Sequence, residues 1–326
     1  MVTLTKKNVK SWSRIGSRAT FGSVLYELAE SREELVVLSS DTSTSAGLDR
    51  FRKKFPEKFV EVGIAEQNLI GIAAGMASEG MDVVTATFSP FQTLRCCEQI
   101  KVNLGYMKHK VCFVGLASGV VLGKLGYTHC SIEDMAVMRA IPNITVLSPA
   151  DCGETAKAVE AALNHDGPVY IRLTGSAPSP VVYEEDYDFT IGKSVNLLNG
   201  SEVSIIATGT MVHRALEAGK QLTESGVSTS VINIHTIKPI DQSAVQNACE
   251  NARLIVTIEE HSVIGGLGSA VAEVKTEQAN APPQIIMGIR DSYQNSGGYQ
   301  EILEREGLTK ESIVKTVEDW WRKNIE

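Results

Sequence analysis

NLIGIAAGMASEGMDVVTATFSPFQTLRCCEQIKVNLGYMKHKVCFVGL, residues 68–116, carries the pattern that decides the fold. Apolar residues fall at helical spacing from Asn68 to Glu79 and give way to the β-branched run VVTATF (83–88). They return to helical spacing from Gln92 to Leu104 and end in VCFVGL (111–116). Helix, strand, helix, strand in that order requires crossovers between parallel strands, so the expected fold class is α/β with a doubly wound sheet. The alternation extends outward through VVLSS (36–40), ITVLS (144–148) and VYIRL (169–173), with helices expected over 132–140 and 153–164.

The pattern stops at TGSAPSPVVYEEDYDFT (174–190), where Gly, Ser, Pro and acidic residues read as a domain link. A second α/β unit follows. Its expected strands are VSIIATG (203–209), STSVINI (228–234), LIVTIE (254–259) and QIIMGI (284–289), with helices near 211–224, 241–250 and 266–279 and a last one ending at Trp320–Trp321. The expected organisation is therefore two doubly wound domains, 1–178 and 193–326, joined by a linker over 179–192.

The whole chain has 326 residues, 31 Lys+Arg against 39 Asp+Glu and a formal charge of -8, enough length for two domain cores. Its basic residues are scattered, which argues against nucleic acid or an anionic membrane surface as a partner. Six cysteines, at 96, 97, 112, 130, 152 and 249, show neither a CxxC pair nor zinc spacing, so no metal ligands are assigned to this chain. A reducing cytoplasm is the expected compartment. The basic N-terminal stretch meets no apolar h-region, and no run reaches the ~18 apolar residues of a membrane span.

Generic catalytic motifs are absent: there is no GxGxxG after the first strand, no P-loop, no HExxH and no GxSxG. One segment stands out chemically, FVEVGIAEQNLIGIAAGMASEG (59–80), in which Glu66 begins an otherwise apolar, small-residue helix. A partly desolvated carboxyl there favours its proton-donating form. From spacing alone the plainer reading is a first-turn carboxylate suited to the helix dipole. Phe88 and Phe91 likewise read first as core aromatics, and His129 as a loop histidine.

GIAEQNLIGIAAGMA, then TFSPFQTLRCCEQIK (87–101), then GYTHCSIEDMAVMRAIPNITVLSPAD (126–151), together resemble the pyrimidine-binding domain of the transketolase family of thiamine diphosphate enzymes. ATGTMVHRALEA, INIHTIKPID and VTIEEHSVIGGLGSAVAEV resemble the family's C-terminal domain, so the likeness runs over nearly the whole chain. The family's GDG diphosphate and magnesium signature does not occur in it. The resemblance thus implies the C-terminal subunit of a split, two-component transketolase. An N-terminal diphosphate-binding partner would carry the diphosphate and Mg²⁺ ligands, and the expected assembly is an α2β2 heterotetramer. Cofactor would lie between the subunits.

By the same resemblance, Glu66 hydrogen-bonds the pyrimidine N1′ of thiamine diphosphate, Phe88 and Phe91 pack on the aminopyrimidine ring, and the backbone of Ile64 lies against it. His129 is the catalytic histidine that bonds a substrate oxygen, with Ser131 and Asp134 reading as a capping box beyond it. Arg18 and Ser45 match positions that hold a sugar phosphate, and Asp41, in the same loop, is placed with the cofactor set. The implied activity is transfer of a two-carbon ketol unit, as a cofactor-bound carbanion, between sugar or sugar phosphate molecules.

Departures from the family bear on the substrate. Lys124 and Leu125 stand where the family has an acidic pair, Ser148 replaces a phosphate-binding Arg, and Ala117 replaces a His; Leu94, which replaces an aromatic, bears instead on how complete the cofactor-ring pocket is. An enlarged, less polar pocket and an atypical sugar-like substrate are the expectation. Two other readings stay open: the β subunit of a 2-oxo acid dehydrogenase, and a non-catalytic scaffold. GGLG (265–268) reads as a tight loop rather than an anion site, and the run Glu259, Glu260, His261 as a structural or interface feature.

Overall fold

In the computed structural model, which describes residues 2–293 and 295–325, the long first helix α1 (Lys6–Leu28) precedes the first strand. Thr5 caps it: its hydroxyl accepts from Asn8 N–H, and the Asn8 side chain accepts in return from the Thr5 N–H. Gly16, at φ 82°, breaks the helix, so Arg18 sits in the first turn of the second segment. The chain continues through β1 (Leu35–Ser39), α2 (Asp49–Lys54), β2 (Phe59–Glu61), α3 (Glu66–Ser78) and β3 (Asp82–Phe88). Two short helices, α4 (Ser89–Gln92) and α5 (Cys97–Gln99), lead into a π-helical segment Ile100–Tyr106. Then come β4 (Val111–Leu116), α6 (Asp134–Ala140), β5 (Thr145–Leu147), α7 (Cys152–Asn164) and β6 (Val169–Arg172).

The second unit holds β7 (Val195–Leu198), β8 (Val203–Ala207), α8 (Met211–Glu224), β9 (Thr229–Asn233), β10 (Thr236–Lys238), α9 (Gln242–Asn251), β11 (Leu254–Ser262), α10 (Leu267–Lys275), β12 (Gln284–Ile289), α11 (Tyr299–Arg305) and α12 (Lys310–Asn324). Two sheets result, ordered β10-β5-β6-β4-β3-β1-β2 and β12-β11-β8-β9-β7. All pairings are parallel except β10 with β5 and β7 with β9. Every residue of β1, β4, β5, β6, β8 and β11 is buried. That is the pattern of parallel strands covered by helices on both faces, and it is why they read as continuous apolar runs.

The α/β class and the two-sheet architecture read from the sequence are those of the structure. The helix expected over 92–104 is instead broken after Gln92 and resumes at Cys97. β10 leaves the second unit to pair antiparallel with β5 and becomes an edge strand of the first sheet. Polar groups close the seam between the units. Arg172, 1% exposed, donates to Asp134 at 2.8 Å and to the Glu260 carbonyl at 2.7 Å. Across the same seam Glu154 of α7 accepts from Asn233 of β9 at 2.9 Å, and Glu260 accepts from the Val120 N–H at 3.0 Å.

Candidate active site

Apart from Arg18 on α1, the candidate residues gather at the carboxyl ends of the parallel strands, where open α/β sheets place their ligands. Two of the loops there are laced together. The Glu61 carboxylate accepts from the N–H groups of Asp41 (2.7 Å) and Gly63 (3.0 Å), the Ser40 hydroxyl accepts from Ala65 N–H (3.1 Å), and Val62 N–H reaches the Ser39 carbonyl (3.0 Å). Asp41 (φ 53°) and Gly63 (φ 70°) take left-handed backbone to make this turn. The result throws Ile64 outward, 77% exposed, and starts α3 at Glu66, whose side chain turns inward and is only 5% exposed.

A chain of contacts runs on from Glu66. Its Oε1 lies 2.8 Å from an Arg95 guanidinium nitrogen, and the Arg95 Cζ stands 4.0 Å over the Phe91 ring. Phe91 meets Phe88 edge-on at 6.3 Å and His129 at 5.4 Å. The His129 Nδ1 sits 3.0 Å from the Thr128 hydroxyl, and its backbone N–H donates to Gly126 at 3.0 Å. Gly126, at φ 78°, closes the turn that presents the histidine. Ile64, Glu66, Phe88, Phe91 and His129 therefore share one rim.

Arg18 and Ser45 form a neighbouring pair, the guanidinium donating to the Ser45 carbonyl at 3.4 Å. Burial pulls the Arg18 pKa below its ordinary value. Asp41 lies on the same loop with its side chain exposed, so this loop joins the Arg18 pair to the Glu66 rim.

Several finer expectations change. Ser131 and Asp134 make no capping box: α6 has no side-chain cap. Asp134 is drawn into the interior instead, accepting from Arg172 Nε and from the Tyr170 hydroxyl at 2.7 Å. Ser148 is fully buried and packed against Gly209, where an added Cβ would stand 2.8 Å from its Oγ. Ala117 is buried too. Neither opens a pocket, so the case for altered specificity rests on Lys124 and Leu125, both exposed on the loop before His129. Glu66 has a counter-charge, Arg95, that the sequence reading did not supply. The signal was present as a lone cation four residues beyond Phe91 in SPFQTLRCC.

GGLG is indeed a tight loop, and the anion at its backbone donors is internal. The Glu259 carboxylate accepts from Leu267 N–H (2.7 Å) and Gly268 N–H (2.8 Å). Among the described residues no group of three His, Cys, Asp or Glu side chains stands together as a metal site. None of their helices is long and apolar enough to cross a membrane.

The rim suits an aminopyrimidine chemically. A buried carboxylate beside an aromatic face already holds one planar, N–H-bearing group, the Arg95 guanidinium.

Comparison with known proteins is consistent with this geometry. Residues 13–178 match the transketolase pyrimidine-binding domain and residues 192–313 the transketolase C-terminal domain. One of the subunits of the apulose-4-phosphate transketolase of Phocaeicola vulgatus is 40% identical over 95% of this chain and 98% of its own length. The 6-deoxy-6-sulfo-D-fructose transketolase subunit SqwH of a Clostridium species is 38% identical over 93% of both chains. A solved structure described as a split gene transketolase, inactive beta4 tetramer, superposes with a TM-score of 0.86 at 39% identity, over 94% of this chain and 98% of that one. On these matches, which run across both sheets, the chain belongs to the transketolase family.

Proposed function

We propose that this chain is the C-terminal subunit of a two-component transketolase, active only with a partner that binds the cofactor's diphosphate and Mg²⁺, and assembled as an α2β2 heterotetramer in the cytoplasm. The observation that carries the reading is the buried Glu66 carboxylate on the same rim as Phe88, Phe91 and His129. Two relatives of nearly the same length are named as transketolase subunits, which supports a split enzyme.

Thiamine diphosphate, when bound, supplies the carbon centre that carries a two-carbon ketol unit between sugar-like molecules. Glu66 would hold a proton at the pyrimidine ring nitrogen, positioned by the start of α3. Phe88 and Phe91 would pack on that ring, and the backbone of Ile64 would lie against it. Thr128 engages the His129 Nδ1, which leaves Nε2 to bond a substrate oxygen and pass a proton. Arg18, with Ser45 beside it, offers a forked donor to an anionic sugar terminus.

The substrate in this reading is an atypical sugar, because Lys124 and Leu125, exposed on the loop before His129, stand where the family resemblance implies acids. The test is Glu66→Gln in the complex reconstituted with its diphosphate-binding partner, thiamine diphosphate and Mg²⁺. Native mass spectrometry should find both chains and cofactor together, while ketol transfer falls at least about 100-fold. Undiminished transfer by the variant would leave the chain as a scaffold and overturn the reading.

A further inference from the structure

Arg95 makes the two contacts that the proposed function assigns to the aminopyrimidine ring, one to Glu66 (2.8 Å) and one to the face of Phe91 (4.0 Å). A guanidinium and an aminopyrimidine are both planar, both carry N–H donors, and both stack by their faces. With Glu66 only 5% exposed, the guanidinium covers the open edge of its carboxylate. The ring and the guanidinium therefore compete for one place.

The backbone at Arg95 is fixed while its side chain is free to leave. Its N–H donates to the Pro90 carbonyl at 3.2 Å, and its carbonyl accepts from the Gln67 side chain at 3.1 Å. The side chain itself is 43% exposed. Cys96, next in the chain, turns its thiol to the Phe91 carbonyl at 3.1 Å and has it pushed up to about 12 by burial and by Glu66.

We propose that Arg95 is a stand-in for the cofactor ring: its guanidinium fills the pyrimidine's place between Glu66 and Phe91 and swings outward when the pyrimidine arrives. The inference rests on the cofactor site proposed above. Displacement of Arg95 opposes cofactor binding by the combined strength of one half-exposed ion pair and one cation–π contact, about fivefold in affinity.

The experiment titrates thiamine diphosphate into the reconstituted two-subunit complex with Mg²⁺ by calorimetry, for the wild type, Arg95→Ala and Arg95→Lys. Arg95→Ala should bind about fivefold tighter, with Arg95→Lys between the two, since a lysine keeps the charge and loses the plane. Melting of the cofactor-free complexes should show Arg95→Ala no more stable than wild type, which separates released competition from general stabilisation. Equal or weaker binding by Arg95→Ala overturns the stand-in role while leaving the site itself intact. If the alanine variant does not assemble, Arg95→Lys decides alone, on the same criterion. A wild-type complex that binds no cofactor overturns the proposed site, and the stand-in with it.

Discussion

Leu125 is 58% exposed in the tight turn that ends at Gly126, three residues before the backbone that presents His129. In the proposed site an apolar side chain there offers a sugar hydroxyl no partner, whereas the acid that the family resemblance implies at this position would accept from one. A site built to bond a hydroxyl discriminates strongly against ligands that lack it, and the reverse loss relaxes that selection. Leu125→Asp in the reconstituted complex should raise kcat/KM by about tenfold for donors carrying a hydroxyl at the matched carbon, read from a panel of ketose donors. An unchanged panel would remove Leu125 from the donor contact. The melting temperature should hardly move, because an exposed substitution of this kind stays within about 0.5 kcal/mol. At this scale the motifs picked out residues that the structure sets along one chain of contacts, Glu66 through Arg95 and Phe91 to His129. The sequence names no partner that comes from elsewhere in the chain: Arg95 shows as a lone cation beyond Phe91 but nothing ties it to Glu66, and nothing local to Ser148 announces that Gly209 packs against it.

α1 and α3 show opposite uses of glycine. Gly22, in the middle of α1, lies against the loop after β1: an added Cβ would stand 2.2 Å from the Gly47 carbonyl oxygen, a backbone atom with no freedom to yield. Gly71 of α3 faces open space, with nothing within 4 Å of an added Cβ. Alanine brings the same helix-propensity gain at both, about 0.8–1 kcal/mol. At Gly22 the clash outweighs it, so Gly22→Ala should lower stability by about 2 kcal/mol in urea unfolding. Gly71→Ala should raise the stability of the chain alone by up to about 1 kcal/mol. Equal and positive effects at both sites would mean that α1 does not pack on the loop as described. Elements were legible when long and strictly periodic, as with α8, whose observed span Met211–Glu224 is the one expected. They were not legible when short or dependent on distant pairing. β2 and β10 have three residues each, too few for a period to show, and β10 is a strand only because β5 lies beside it. The helix expected over 92–104 breaks after Gln92, where Thr93 bonds its hydroxyl back to the Ser89 carbonyl at 2.7 Å, a local bond that competes with the helical ladder.

The seam between the two units is lined by buried titratable groups, so the stability of the whole molecule carries a pH signature. Glu259 on β11 is fully buried, and burial, only partly offset by the N–H groups of Leu267 and Gly268, pushes its pKa up to about 7. His261, two residues on, is pulled down to about 4 by burial. The His261 Nδ1 lies 2.8 Å from the Ser262 carbonyl and its Nε2 accepts from Ala136 N–H at 3.3 Å, an arrangement that suits the neutral ring protonated at Nδ1. The two signs differ. A raised acid contributes stability that is fully present below its unfolded pKa, near 4.5, and is lost as pH rises through 7. A depressed histidine contributes stability that is full above about 6.5 and is lost as pH falls through 4. Between pH 4.5 and 6.5 the two therefore oppose each other, and removing one exposes the other. Glu259→Gln removes the acid's share, together with its 3.7 Å contact to the His261 Nδ1. The stability of the wild type minus that of the variant, from urea unfolding at each pH, should be largest near pH 4.5 and fall by about 3 kcal/mol on going to pH 7. The variant's own stability should rise more steeply with pH than the wild type's over 4.5–6.5. A difference that stays constant across this range would show that Glu259 titrates in the folded chain as it does in the unfolded one, and would detach the pH response from the seam.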